Sequence, residues 1–172
     1  MATYDTFSQI PTYGAATTAS VVAAAGADIF FVIEGSSTKT VLVKKIIVSG
    51  PTLTTAAQNS IVSEKFSTAA SGGTAVALTK VPLNSDWAAA SATSVQVYTA
   101  APTQGTLVGT VACRRLLLQA TTADAGEVVF DYTDIDGGGL MLRGTTQGLG
   151  LAFGASPATA VTLGLEVQWQ EL

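Results

Sequence analysis

The last dozen residues constrain the fold more than any other stretch of this chain. Val161, Leu163, Leu165, Val167 and Trp169 alternate with Thr162, Gly164, Glu166, Gln168 and Gln170. A period of two over ten residues puts the apolar side chains on one face of an extended strand and the polar set on the other. A helix would scatter the same residues around its circumference. The segment is a strand with one buried face.

Shorter alternations recur upstream. Val128, Phe130 and Tyr132 interleave with Glu127, Val129 and Asp131, Val95 and Val97 flank Gln96, and Leu149, Leu151 and Phe153 interleave with Gly150 and Ala152. The segments 29–33 and 41–48 are apolar on both faces and rich in β-branched residues, a pattern expected of strands covered on both sides. The cover would come from a second sheet, with a neighbouring subunit as a further source. Turn signals separate the runs: Gly35-Ser36-Ser37, Gly50-Pro51, Ser71-Gly72-Gly73, Pro82 to Ser85, Pro102 to Gly105 and Gly137-Gly138-Gly139. Strands are expected near 29–34, 40–49, 60–67, 74–80, 94–99, 106–119, 127–132, 140–143, 148–153 and 160–170. Short strands so punctuated make an all-β, antiparallel β-sandwich. Eight core strands in two facing sheets is the jelly-roll arrangement. Residues 86–92 are expected to form a helical turn capped by Asp86.

Residues 1–27 differ in kind. They are rich in Ala and Thr, contain Pro11 and Gly14, and show no sustained period. The chain therefore divides into an extended N-terminal arm (1–27) and a sandwich domain (28–172). The arm carries Tyr4, Phe7, Ile10 and Tyr13, which suit a docking surface; a terminus of no consequence explains the same composition.

With 172 residues the chain suits one domain that can bury a sizeable core. Eight basic and twelve acidic residues give a net charge of −4. That balance argues against a grip on nucleic acid phosphates, and the Lys44-Lys45 and Arg114-Arg115 doublets are too small for a nucleic-acid footprint. Charged residues make up 12% of the chain, about half the ~25% usual in soluble domains. Either much of the surface is covered by other subunits, or Ala, Thr, Ser and Gly simply make it mild. Cys113 stands alone in the apolar run 107–118, so no internal disulfide forms, and a buried thiol is the default reading. The N-terminus does not read as a secretory signal, and no stretch reaches the ~20 apolar residues of a membrane span. The expectation is a chain made in a cytoplasm, with no membrane and no nucleic acid among its partners.

Little in the sequence carries chemistry. There is no histidine, which removes the commonest general base and metal ligand and the triads built on it. Gly148-x-Gly150-x-x-x-Gly154 lacks the spacing of a dinucleotide turn. Asp134-x-Asp136-Gly137 resembles the opening of a calcium loop, but Gly138 and Thr145 stand where further oxygen ligands belong. A glycine-rich turn explains the same residues. No catalytic, cofactor or metal residue is assigned, and the chain is read as a non-enzyme. Trp169 suits the core, whereas Trp87, after the loop Pro82 to Asp86, is an interface candidate.

Six segments also carry a family resemblance. They are Val41-Leu-Val-Lys-Lys-Ile-Ile-Val-Ser-Gly50, Lys65-Phe-Ser-Thr-Ala-Ala-Ser-Gly-Gly-Thr74, Val81-Pro-Leu-Asn-Ser-Asp86, 98–109, Leu142-Arg-Gly-Thr-Thr-Gln-Gly-Leu-Gly150 and Leu165-Glu-Val-Gln-Trp-Gln-Glu171. In order and spacing, over residues 40–172, the chain resembles small virion structural proteins of tailed bacteriophages, of the capsid decoration or cement type. The resemblance implies a trimeric jelly-roll domain bound to the major capsid protein or another virion protein. It implies assembly in the host cytoplasm, residence in the virion, and no catalytic residues. The alternative is a receptor- or carbohydrate-binding jelly-roll module of a tail or fibre, which wants aromatic platforms in exposed loops; Trp87 is nearly the only one here.

Overall fold

The structure, a computed structural model, describes residues 11–21, 29–50, 57–88, 90, 94–118, 126–154 and 161–172. Among these lie twelve strands: β1 (Thr12–Val21), β2 (Ile29–Glu34), β3 (Val41–Ser49), β4 (Ala57–Phe66), β5 (Thr74–Ala77), β6 (Val81–Pro82), β7 (Val95–Ala100), β8 (Leu107–Leu118), β9 (Glu127–Asp131), β10 (Leu140–Leu142), β11 (Gly148–Phe153) and β12 (Val161–Glu171). All named pairings are antiparallel. One sheet runs β10-β3-β12-β1-β6, with β9 pairing β3 beyond β10, and the other runs β5-β7-β2-β11-β4-β8.

The path identifies the sandwich type. With β9 and β10 taken as one interrupted strand along β3, and β5 to β7 set aside as an insertion, eight strands remain in two sheets of four. The chain crosses between sheets at every step except β4 to β8, which are neighbours. This is the jelly-roll path. The insertion adds β7 and β5 beside β2 in one sheet and β6 beside β1 in the other, so it builds one flank of the sandwich.

The C-terminal alternation fills the core as its period requires. Leu163, Leu165, Val167 and Trp169 are buried, while Thr162 is exposed and Gly164, Glu166, Gln168 and Gln170 are partly so. Across the interior, Ser63 on β4 and Tyr132 just after β9 share a buried hydrogen bond of 2.5 Å that ties the two layers together.

The sandwich does not begin at residue 28, as the composition suggested. Residues 12–21 are not an arm but a central strand, paired with β12 over ten positions from Thr12↔Gln170 to Val21↔Val161. Residues 1–10 and 22–28 lie outside the described residues. The helical turn expected at 86–92 is absent from its described residues, 86–88 and 90.

The two-sided burial of 29–33 has a local cause. The β2–β11 register shifts between Leu151 and Ala152, which pair with Phe31 and Ile29. This bulge re-aims the strand. Phe30 and Phe31 both enter the main core, Phe30 against Phe153 with ring centroids 4.6 Å apart, while Ile29 joins Val32, Phe66, Tyr98 and Ala152 in a second cluster. Phe66 covers Gly150: a Cβ there would lie 2.8 Å from Phe66 Cε2 and 3.3 Å from the Phe31 carbonyl oxygen. The chain's own residues therefore bury the second face of β2.

Candidate interaction surfaces

Where a surface could meet a partner depends on where the strands run out. The two sheets end at β5 and β6 on the insertion flank and at β8 and β9–β10 on the other. Among the described residues, six of the eight exposed large apolar side chains lie there, Val76, Val81 and Leu83 on the first flank and Leu107, Val108 and Val111 on the second, with Ile135 in the turn between β9 and β10 and Leu172 after β12. Twenty charged residues share 8,821 Å² of surface, about one per 440 Å², a sparse charge density overall.

On the insertion flank, β6 is only Val81–Pro82, pairing Tyr13↔Pro82 and Gly14↔Val81. Proline lacks the amide that a central strand would donate, so Pro82 belongs at a sheet edge. Val81 and Leu83 are 52% and 56% exposed. The Leu83 amide donates to the Thr12 carbonyl, continuing the ladder one residue further. Gly14 and Ala16 put little bulk on the outer face of β1, so a shallow depression of about 190 Å³ opens between Val81 and Leu83 on one side and Glu166 on the other. A Cβ at position 14 would stand 3.1 Å from Leu83 Cδ2, a close contact that the exposed Leu83 side chain can relieve by a small shift. Beyond Glu166 the outer face is polar: Gln168 Nε2 donates to Glu166 Oε1 at 2.9 Å, and Gln170 Nε2 to Thr12 Oγ1 at 3.1 Å.

The β8 flank is apolar but guarded. Its register against β4 shifts twice, between Ser63 and Glu64 and between Lys65 and Phe66, which leaves Val111 and Val108 as the extra residues on β8. Bulges and charges discourage edge-to-edge pairing, and Arg114 and Arg115 follow on the same strand. Cys113 is exposed here, not buried as the apolar run suggested. The run is that of an edge strand whose bulges break the inward alternation.

The named interface candidates separate. Tyr13 is not at an interface: it is 5% exposed, opposite Trp169 in the β1–β12 register, with ring centroids 5.8 Å apart. Burial, aided by the nearby Glu171 carboxylate, pushes its hydroxyl above the usual tyrosine value. Trp87 is half-buried in the loop after β6, its amide donating to the Asn84 carbonyl. Tyr4, Phe7 and Ile10 lie outside the described residues. Val81 and Leu83 were missed as a pair because Pro82 between them reads as a turn. Their spacing of two across an edge proline was the available signal.

The acidic turn is held together internally. The Lys44 ammonium donates to the Gly138 carbonyl. The Thr133 hydroxyl, then its backbone amide, and Lys45 across the strand pair hold Asp131 below the usual carboxylate range. Among the described residues no three His, Cys, Asp or Glu side chains are grouped to hold a metal, and no helix is long and apolar enough to cross a membrane. Burial raises the Glu34 carboxyl, offset in part by a hydrogen bond with Ser94. Comparison with protein-family models, curated proteins and solved structures gives no match.

Proposed function

We propose that this chain is a non-enzymatic structural component of a tailed-phage virion, a decoration or cement protein that binds the head shell as a trimer. The observation that carries the reading is the insertion flank: an apolar edge and a small socket on a jelly roll otherwise poor in charge. The order of motifs over residues 40–172 supports the phage assignment. Its partner is the major capsid protein or another virion protein. A protein that meets a repeating lattice needs only modest contacts per copy, because a trimer engages several sites at once. The β8 bulges support the same reading, since they keep a protein rich in strand edges from unlimited pairing.

Co-sedimentation tests it. Purified shells lacking this protein should bind it to saturation at a fixed ratio, while a panel of glycans should not retain it. Retention by glycans with no binding to shells would instead favour a tail or fibre module built around Trp87.

A further inference from the structure

Among the described residues, one sheet edge is left open to a further strand. An edge invites pairing because its outer N–H and C=O groups lack partners, and proteins blunt edges with prolines, bulges and charges. β6 carries Pro82, and β8 carries two bulges with Arg114 and Arg115. The β9–β10 edge carries Glu127 and Asp131 and is broken by the turn after Tyr132. β5, Thr74-Ala-Val-Ala77, ends its sheet with none of these. Its four residues are all exposed, and no charged residue stands between Phe66 and Lys80. The one irregularity in its pairing leaves the extra residue, Thr99, on β7.

The register says which backbone groups face outward. The Leu78 amide donates to the Val95 carbonyl at 2.9 Å, and Val76 pairs with Val97 two positions on. Antiparallel bonding alternates along a strand, so Val76 and Leu78 bond to β7, while Ala75 and Ala77 turn their N–H and C=O groups away from it. The far side of β7 agrees. Val32 pairs with Gln96 and the Glu34 amide donates to the Ser94 carbonyl, so Gln96, opposite Ala77, bonds to β2. Val76 lies on the same face as Val97, which is in the core, yet it is 47% exposed where the sheet runs out.

A second β5 matches this edge. With the strands antiparallel about a two-fold axis at Val76, Ala75 faces Ala77 of the partner subunit and Ala77 faces Ala75 of the partner subunit. Both become hydrogen-bonded pairs made from the groups that point outward. Val76 meets Val76 of the partner subunit in the close, non-hydrogen-bonded position, where β-branched side chains pack. Registers centred on Ala75 or Ala77 would instead pair Gly73 or Thr79, which lie outside the strand. We infer that two copies join edge to edge through β5, making one sheet of two. The joint uses up the open edge of each copy, so it closes as a pair. It is a separate contact from the threefold one proposed above.

A single cysteine on the axis tests it. Residues in a non-hydrogen-bonded pair sit about 4.5 Å apart at Cα, within the disulfide range of about 4.4–6.8 Å. With Cys113→Ser as background, Val76→Cys should oxidise to reducible dimers at least tenfold more readily than Val108→Cys on the β8 edge, although Val108 is the more exposed. Adding Ala77→Pro removes an outward amide without touching the ladder to β7. It should abolish that preference while the melting temperature holds. Val76→Lys, at an exposed position, sets like charges on the axis and should weaken dimer formation at least tenfold by sedimentation; it decides the matter if the proline variant does not fold. Equal linking at 76 and 108 overturns the inference. So does a link that survives Ala77→Pro in a folded protein, or unchanged dimer formation by the Val76→Lys protein. Linked dimers that bind no shell leave this inference standing and sink the coat reading, whereas shell-bound trimers with no link at 76 do the reverse.

Discussion

The hydrogen bond between Ser63 and Tyr132 offers a sharp internal test of the sandwich, because it joins one sheet to the other. The two residues are 0% and 3% exposed, and their oxygens lie 2.5 Å apart. Ser63→Ala leaves the Tyr132 hydroxyl buried without that partner, and Tyr132→Phe does the same to Ser63. Each should cost about 1–3 kcal/mol, the penalty for stranding a buried polar group. Removing both groups restores an apolar contact, so the double variant should lose clearly less than the sum of the singles. Denaturant unfolding followed by tryptophan fluorescence reads this as shifts in midpoint at constant slope. Strictly additive costs, or single variants as stable as the parent, would refute the buried pairing. The same tyrosine sets an alkaline limb. Burial pushes its hydroxyl from 10.0 up to about 12, so the folded state holds the proton where the unfolded chain has lost it. Its contribution is complete below pH 10 and is lost as the pH climbs towards 12. Two units correspond to roughly 2–3 kcal/mol. Tyr132→Phe should flatten that limb but not abolish it, because burial raises Tyr13 and Tyr98 in the same direction.

Three further outcomes follow from the packing. Tyr13→Ala removes a buried ring stacked on Trp169 and should cost about 3–5 kcal/mol in the same unfolding assay; an unchanged midpoint would return residues 12–21 to the status of an arm. Leu165→Asp places a carboxylate in the core and should cost several kcal/mol, on the scale of the whole stability of about 5–15 kcal/mol. Glu166→Ala, on the outer face, should stay within about 0.5 kcal/mol, and the reverse ranking would mean a register slipped by one. Gly150→Ala drives a methyl group into Phe66 and the Phe31 carbonyl and should cost about 1–3 kcal/mol; a melting temperature equal to the parent's would show that Phe66 does not cover that glycine.

Most of the sandwich was legible because its strands carry their own contrast. The segments 29–34 and 148–153 match β2 and β11 end to end, and the C-terminal alternation matches β12 within one residue at each end. β1 was illegible for a physical reason. Its inward Tyr13 and Ala15 alternate with Gly14 and Ala16, so alanine stands on both faces and no hydrophobic period emerges. What holds the strand is its ten-residue pairing with β12, a long-range contact that local pattern cannot show. Cys113 was misplaced because two bulges lie behind the apolar run of β8, and bulges leave little trace in composition. Of the interface candidates, the sequence marked Trp87 but not Val81 or Leu83, since β6 exists only as an edge laid against β1.

The central claim is that this jelly roll works as an oligomer on a phage head. Electron microscopy of the intact particle, at a resolution that separates subunits, tests it most directly. Threefold density of the sandwich's size should repeat over the head shell. Density confined to a tail or fibre tip, or single isolated copies on the shell, would contradict it.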